Sequence, residues 1–161
     1  MVAIVIADAS PLIALARVNG IVWLQDLFGE VVVTTVELRE VLTGRFPESE
    51  APIETALAAG WLKSVAVEMA DPVLPDLDEG EAASIRLALA QSFGIRLAGT
   101  AAVIGMARQR GLIPSAKAVF AQLHASDFRI APAVIHAVLD RCGESVKGCR
   151  HQAHILGGLV A

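Results

Sequence analysis

Residues 2–11 read Val-Ala-Ile-Val-Ile-Ala-Asp-Ala-Ser-Pro, and this stretch decides the fold class. Val2–Ala7 is an unbroken apolar run, which predicts a strand that is buried on both faces. Ser10 and Pro11 predict the N-cap and the first residue of a following helix. Asp8 lies between the two, so we expect it at the carboxyl end of a buried strand, where open parallel sheets bind their ligands.

Strand and helix patterns alternate along the rest of the chain. Further strands are predicted at Glu30–Thr34, Leu62–Val67 and Ile95–Ala98. The order predicts a three-layer α/β/α domain with a central parallel sheet. Asn19-Gly20 predicts a helix break, and residues 44–52 predict a loop. Helices are predicted over residues 12–18, 21–28, 34–41, 53–59, 79–91, 100–110, 115–125 and 132–141. Thr34 and Glu37 fit a capping box at the start of the helix that ends at Val41. Thr100 and Ser115 are expected to cap the helices that end at Arg110 and Ala125.

Composition indicates one domain with an aliphatic core. The chain has 161 residues, of which 55% are hydrophobic but only 4% aromatic, so Ala, Val, Leu and Ile must fill the interior. No apolar run reaches the ~18 residues that a membrane-spanning helix needs, and no basic leader precedes the first strand. Cys142 and Cys149 are too few for a disulfide framework. We therefore expect no membrane partner and a cytoplasmic location.

Charge is divided unevenly between the two parts of the chain. Residues 1–99 hold 6 Lys and Arg against 14 Asp and Glu, whereas residues 100–161 hold 7 against 3. An acidic part can bind metal, and a basic part can face phosphates or an acidic partner. Two ordinary solvated faces are an equal alternative at this stage.

Three carboxylates stand near the predicted carboxyl edge of the sheet: Asp8, Glu40 and Glu81. Glu40 lies in the helix after the second strand, and Glu81 lies one turn into a helix that Asp78 is expected to cap. Each has a purely structural alternative. Asp8 could be a turn or cap residue, Glu40 an exposed helical glutamate, and Glu81 the partner of Asp78 in a capping box.

The segments that carry these carboxylates resemble the three acidic motifs of the PIN domain family. They are Ile4–Ile13, Val33–Val41 and Leu77–Ile85, in the family's order and at similar spacing. Residues 99–132 are similar to the C-terminal half of a prokaryotic branch of nucleic-acid-binding proteins related to VapC-type toxins. The resemblance covers roughly residues 4–144. We therefore expect a PIN-like domain at residues 1–144 and a loosely ordered tail at residues 145–161.

The resemblance implies a metal-dependent ribonuclease, in which Asp8, Glu40 and Glu81 hold Mg²⁺ or Mn²⁺. Ser10 and Asp78 would support the ligand carboxylates. Carboxylates suit this role because Mg²⁺ prefers hard oxygen ligands, and a bound metal activates water for attack on a phosphodiester. The expected partners are an RNA substrate and, by analogy with toxin–antitoxin pairs, an antitoxin protein and a second copy of the chain.

The sequence departs from the family pattern after the helix that contains Glu81. The pattern has a further strand there, which ends in an acidic residue, but here Ser92-Phe93 leads almost directly to Ile95. Either the strand is deleted or a stretch near Ser92 is missing from the sequence. Deletion of a central strand would expose its neighbours' edges, which favours the second explanation. A real deletion would favour a catalytically inactive module that binds nucleic acid or protein.

A receiver domain is a third hypothesis, because receivers also carry an acid after the first parallel strand. Receivers place an acidic pair at that position and a phosphorylatable Asp after a later strand. The second strand here is followed by Thr34-Thr35, and the third ends near Val67-Glu68. This pattern ranks the receiver below both PIN-like hypotheses.

Overall fold

The first two strands of the chain form where β-branched residues are concentrated. In the computed structural model, which describes residues 5–66, 96–97 and 99–144, there are four strands: β1 Val5–Ile6, β2 Val31–Thr34, β3 Leu62–Val65 and β4 Arg96–Leu97. All neighbouring strands pair in parallel, in the order β3-β2-β1-β4. The predicted parallel sheet is therefore confirmed.

Helices connect the strands and follow the sheet. Within the same described residues they are α1 Ala9–Arg17, α2 Ile21–Phe28, α3 Thr35–Val41, α4 Pro47–Ala59, α5 Thr100–Gln109, α6 Ala116–Ala125 and α7 Pro132–Arg141. The break between α1 and α2 is confirmed, and Asn19 adopts a positive φ of 56° there. None of these helices is long and apolar enough to cross a membrane.

Two of the predicted N-caps are confirmed by hydrogen bonds. The Thr34 hydroxyl accepts a bond from the Glu37 N–H, and the Ser115 hydroxyl accepts one from the Ala118 N–H. The predicted cap at Thr100 is wrong, because α5 already begins at this residue. Gly99 occupies the N-cap position, and the Thr100 side chain is buried.

The loop before α4 is shorter than the sequence predicted. α4 begins at Pro47 rather than at residue 53, and it contains Pro52, so the predicted loop over residues 44–52 is wrong. An internal proline removes one backbone hydrogen bond, which makes Pro52 an unfavourable residue inside α4. Pro47, at the first helical position, has its φ already set for a helix and loses no intrahelical bond there.

Glu50 explains why the helix can begin so early. Its buried carboxylate accepts hydrogen bonds from the backbone N–H groups of Thr43, Gly44 and Phe46, and from the Thr43 hydroxyl. Burial raises the pKa of Glu50, but these hydrogen bonds outweigh it, so that the pKa lies below its usual value. One side chain thus satisfies three of the backbone donors in the turn between α3 and α4.

The core is aliphatic, as the composition predicts. Among the described residues, the largest fully buried side chains are aliphatic with the exception of Thr34: Leu12, Leu15, Leu24, Ile53, Leu62, Ile104, Leu123, Val31, Val33 and Val103. They come from α1, α2, α4, α5 and α6 as well as from the sheet. Burial of a side chain of this size contributes roughly 1.5–3 kcal/mol, so this cluster is the main source of stability.

The strand order places a crevice at one particular point of the sheet. From β1 the described strands proceed to β2 and β3 on one side, whereas β4 pairs with β1 on the other side. The order therefore reverses between β1 and β4. In open parallel sheets such a switch point leaves a crevice beyond the carboxyl ends of the strands, and ligands bind there.

A glutamate attaches the end of the described chain to α6. The Glu144 carboxylate accepts hydrogen bonds from the backbone N–H groups of Ala116 and Lys117 and from the Ser115 hydroxyl, and it pairs with Arg108 at 2.5 Å. Burial alone would raise the pKa of Glu144, but these hydrogen bonds lower it to about 2.

Helices α5 and α7 pack closely against each other at Gly105. A Cβ added to Gly105 would lie 2.9 Å from Cγ1 of Val138. Gly105→Ala should therefore lower the free energy of unfolding by about 1–3 kcal/mol, the usual cost of overpacking, as measured by urea denaturation. Gly99→Ser is the control, because no atom lies within 4 Å of a Cβ at that position. Equal losses in the two variants would contradict the close contact.

Glu144 should make stability depend on acid pH. Its folded-state pKa of about 2 lies below the usual 4.5, so its contribution is complete above about pH 4.5 and is lost as the pH falls through 2. Glu144→Gln should therefore have a lower Tm than the wild type at pH 6, and the difference should shrink as the pH falls to 2. Asp140→Asn, at an exposed position, should follow the wild-type curve. A Tm difference that stays constant over this range would contradict the assignment.

Candidate active site

Asp8 lies in the short turn between β1 and α1. Ala7, just before it, is fully buried, and its N–H donates to the Val32 carbonyl at 3.0 Å, which continues the pairing of β1 with β2. Asp8 itself is half-buried. Its backbone is therefore fixed at the carboxyl edge of the sheet, beside the switch point between β1 and β4.

The predicted start of α1 is wrong by two residues. Ser10 was expected to be the N-cap, but α1 begins at Ala9, and Asp8 occupies the N-cap position. Pro11 is tolerated inside the first turn because the N–H groups there have no intrahelical acceptor. The Asp8 side chain makes no capping hydrogen bond, although it holds the capping position. Ser10 is exposed in the first turn, and its supporting role remains a prediction.

The cap of α1 comes instead from Glu37, on a different helix. The Ala9 N–H donates to Oε2 of Glu37 at 2.6 Å, and Glu37 is only 3% exposed. The Ala9 nitrogen is bonded to the carbonyl carbon of Asp8 and lies roughly 3 Å from its Cβ by standard covalent geometry. The structure therefore places the Glu37 carboxylate directly beside Asp8.

Glu37 is a site residue that the sequence analysis missed. Its spacing from Thr34 had been interpreted as a capping box, and the N–H of Glu37 does bond the Thr34 hydroxyl. Its carboxylate, however, crosses to the first residue of α1. The only signal in the sequence was its distance from the end of β2, which puts it in the first turn of a helix at the carboxyl edge.

Glu40 lies one helical turn beyond Glu37 on α3. It is exposed, and it lines a cavity of about 150 Å³ between α1, α3 and α4, together with Ile13 and Arg17 of α1. No three His, Cys, Asp or Glu side chains of the described residues come together in a way that could hold a metal ion. Asp8, Glu37 and Glu40 therefore do not form a complete three-carboxylate centre by themselves.

The remaining predicted site residues lie outside the described ranges. Glu81 and Asp78 fall between residues 66 and 96, as does Ser92, where the sequence departs from the expected pattern. Their contribution to the site stays a prediction.

The sequence as a whole decides the family. It matches the model of the DUF3368 family, described as a PIN domain, over residues 4–92 and 88–144. The chain belongs to the PIN domain family. The parallel sheet and its helices are those of an α/β/α PIN domain, a nuclease-like module. The two matched segments meet at residues 88–92, next to the departure at Ser92. Comparisons with curated proteins and with solved structures give no match.

PIN domains generally use divalent metal ions, and the donors at this edge fit such an ion. Mg²⁺ in phosphoryl-transfer sites is bound by one or two carboxylates, with water and substrate phosphate as its other ligands. Asp8 and Glu37 supply hard oxygen donors from two different elements at one end of the sheet. Asp8 and Glu37 are therefore candidate oxygen donors for such an ion.

Substitutions of Glu37 should show how much its hydrogen bond with the Ala9 N–H contributes to stability. Glu37→Ala leaves the buried Ala9 N–H without its acceptor, so it should lower the free energy of unfolding by about 1–3 kcal/mol. Glu37→Gln keeps an acceptor oxygen and should retain most of this stability. Glu40→Ala, one turn away and exposed, should change it by less than about 0.5 kcal/mol. Urea denaturation measures all three, and an equal effect of the Glu37 and Glu40 alanine variants would contradict the contact.

Proposed function

We propose that this PIN domain is a metal-dependent ribonuclease. The observation that carries the proposal is the hydrogen bond from the Ala9 N–H to Glu37, which brings a second carboxylate to the turn that holds Asp8, at the carboxyl edge of the sheet and beside the switch point. Carboxylates supply the hard oxygen donors that a divalent cation prefers.

Within this proposal, the motif positions Asp8, Glu40 and Glu81 hold Mg²⁺ or Mn²⁺, with Glu37 beside Asp8 as a fourth carboxylate. The bound metal would supply Lewis-acid chemistry and lower the pKa of a water molecule. Glu37 also fixes the first turn of α1 through the Ala9 N–H, and thereby fixes the position of Asp8. Ser10, exposed in that turn, would hydrogen-bond a ligand carboxylate or a metal-bound water.

The first turn of α1 assists in binding the anionic substrate. Its N–H groups face the carboxyl edge, and a helix N-terminus favours negative charge. The proposed substrate is RNA, and the proposed location is the cytoplasm. By analogy with VapC-type toxins, the proposal extends to an antitoxin protein that binds the domain and to a homodimer.

A second candidate function is binding without catalysis, to nucleic acid or to a protein. The observation in its favour is the departure at Ser92, where the two segments of the family match meet and the expected acidic residue is absent. The described residues hold no complete three-donor metal cluster, so catalysis depends on carboxylates such as Glu81. The intact mass of the chain decides whether residues are missing after Ser92.

The activity test compares the wild type with Asp8→Asn. Cleavage of single-stranded RNA should require Mg²⁺ or Mn²⁺ and should stop in EDTA, because carboxylates act through the metal. Asp8→Asn keeps the size of the side chain but removes its charge, so the rate should fall at least ~10²-fold, the scale of losing one electrostatic group. Its stability should be unchanged or slightly higher, because carboxylate repulsion is relieved. A time course over a metal titration measures the rate.

Matched variants make this test specific. Asp26→Asn, at an exposed position of α2, should cleave at the wild-type rate. Glu40→Gln, Glu81→Gln and Glu37→Gln show which carboxylates act with Asp8. Equal rates with and without metal would point to a contaminating nuclease. Absence of cleavage by a chain of verified mass, over varied RNAs, would support the binding module instead.

A further inference from the structure

Phe46 is the most exposed large hydrophobic residue in the described part of the chain. It is 65% exposed, whereas the other exposed large hydrophobic residues there are aliphatic, and the next is Val22 at 48%. A single exposed apolar side chain is common on protein surfaces. Phe46 differs because of how its backbone is held and because of the cavity beside it.

The backbone of Phe46 is fixed on both sides. Its N–H donates to the buried carboxylate of Glu50 at 3.1 Å, and its carbonyl accepts bonds from the N–H groups of Ser49 and Glu50 and from the Ser49 hydroxyl. Glu50 also binds the preceding Thr43 and Gly44. The turn therefore presents an exposed ring on a rigid support, which reduces the entropy lost when a ligand binds it.

The cavity beside Phe46 has the size and lining of a site for an aromatic ring. We call it the Phe46 pocket; it has a volume of about 150 Å³ and is lined by Ile13, Arg17, Glu40, Val41, Thr43, Phe46, Ser49 and Ile53. A cavity of this volume accepts one benzene-sized ring. Aliphatic walls suit the faces of such a ring, and hydroxyl and guanidinium groups suit its polar edges.

The lining of the pocket combines polar groups of both charges with aliphatic walls. Arg17 and Glu40 line it, together with the hydroxyl groups of Thr43 and Ser49. A polar chain with aromatic groups matches this mixed lining better than an apolar protein segment does.

The pocket also adjoins the candidate active site. Glu40 lines it, and Glu37, which lies beside Asp8, is three residues earlier on the same helix. Three residues of helix span about 4.5 Å along the axis. A base in the pocket would therefore belong to a nucleotide next to the phosphate at the carboxylates.

We propose that the Phe46 pocket binds one base of single-stranded RNA, stacked on the ring of Phe46, and so positions the adjacent phosphodiester at Asp8 and Glu37. This inference rests on the proposed ribonuclease function and names a substrate subsite for it. Stacking on an aromatic side chain tolerates different bases, because every base has a π-face. Phe46 is then a binding residue, and Glu50 is a positioning residue that holds it.

The first test measures RNA binding separately from cleavage. The full chain is titrated in EDTA against a fluorescein-labelled single-stranded RNA of about 12 nucleotides, within the usual span of such sites, and anisotropy gives the Kd. Phe46→Ala should raise the Kd ~10-fold, as expected for loss of one stacking contact. Phe46→Trp should restore it to within about 2-fold of the wild type. Val134→Ala, at an exposed position of α7, should bind like the wild type.

The second test identifies the stacked base. A series of RNAs, each lacking one base at a different position, should include one RNA that the wild type binds ~10-fold more weakly. Phe46→Ala should show no such sensitivity at that position, because its stacking partner is already absent. Thermal unfolding should be unchanged in both Phe46 variants, since the ring is largely exposed.

The outcomes separate this inference from the proposed function. If Phe46→Ala binds RNA as tightly as the wild type, or if base removal affects both proteins equally, the pocket assignment is overturned, even where metal-dependent cleavage is seen. A Phe46-dependent loss without cleavage at any metal concentration supports the pocket and overturns the ribonuclease. An absence of RNA binding by the wild type overturns the inference and leaves the pocket to a protein partner.

Discussion

At the carboxyl edge of the described sheet, a hydrogen bond from the Ala9 N–H to the Glu37 carboxylate links the turn after β1 to the helix after β2. The two residues are 28 positions apart in the sequence. Because Glu37 supplies the acceptor at the start of α1, the side chain of Asp8 makes no capping bond there. The fold thus places Asp8 at an N-cap position, whereas the hydrogen bond to the Ala9 N–H comes from Glu37 on another helix.

The same device recurs at two other turns. Glu50 binds the N–H groups of the turn before α4, and Glu144 binds those at the start of α6. In each case a buried or half-buried carboxylate satisfies backbone donors that an aliphatic core cannot satisfy. Acidic residues therefore stabilise the turns of the fold in addition to their proposed role in the site. Glu50 also holds the backbone of Phe46, the ring of which is exposed.

Most of the fold could be predicted from local sequence, and the errors have a common cause. The apolar runs predicted β1 and β2, and the helix break at Asn19-Gly20 and the caps at Thr34 and Ser115 follow from short-range chemistry. The starts of α1 and α4 were predicted too late. The start of α1 depends on Glu37, which lies 28 residues farther along the sequence. The start of α4 depends on Glu50, which lies inside that helix.

The sequence by itself determined that Asp8 follows a buried parallel strand, since an apolar run directly precedes it and the signal for a helix start directly follows it. Only the tertiary structure decided that Glu37 lies beside Asp8 while Glu40 lines the Phe46 pocket. The two glutamates are three residues apart on one helix, so periodicity places them on neighbouring parts of its surface. Which of them accepts the hydrogen bond from the Ala9 N–H depends on how α3 packs against α1, and that packing is a property of the folded chain alone.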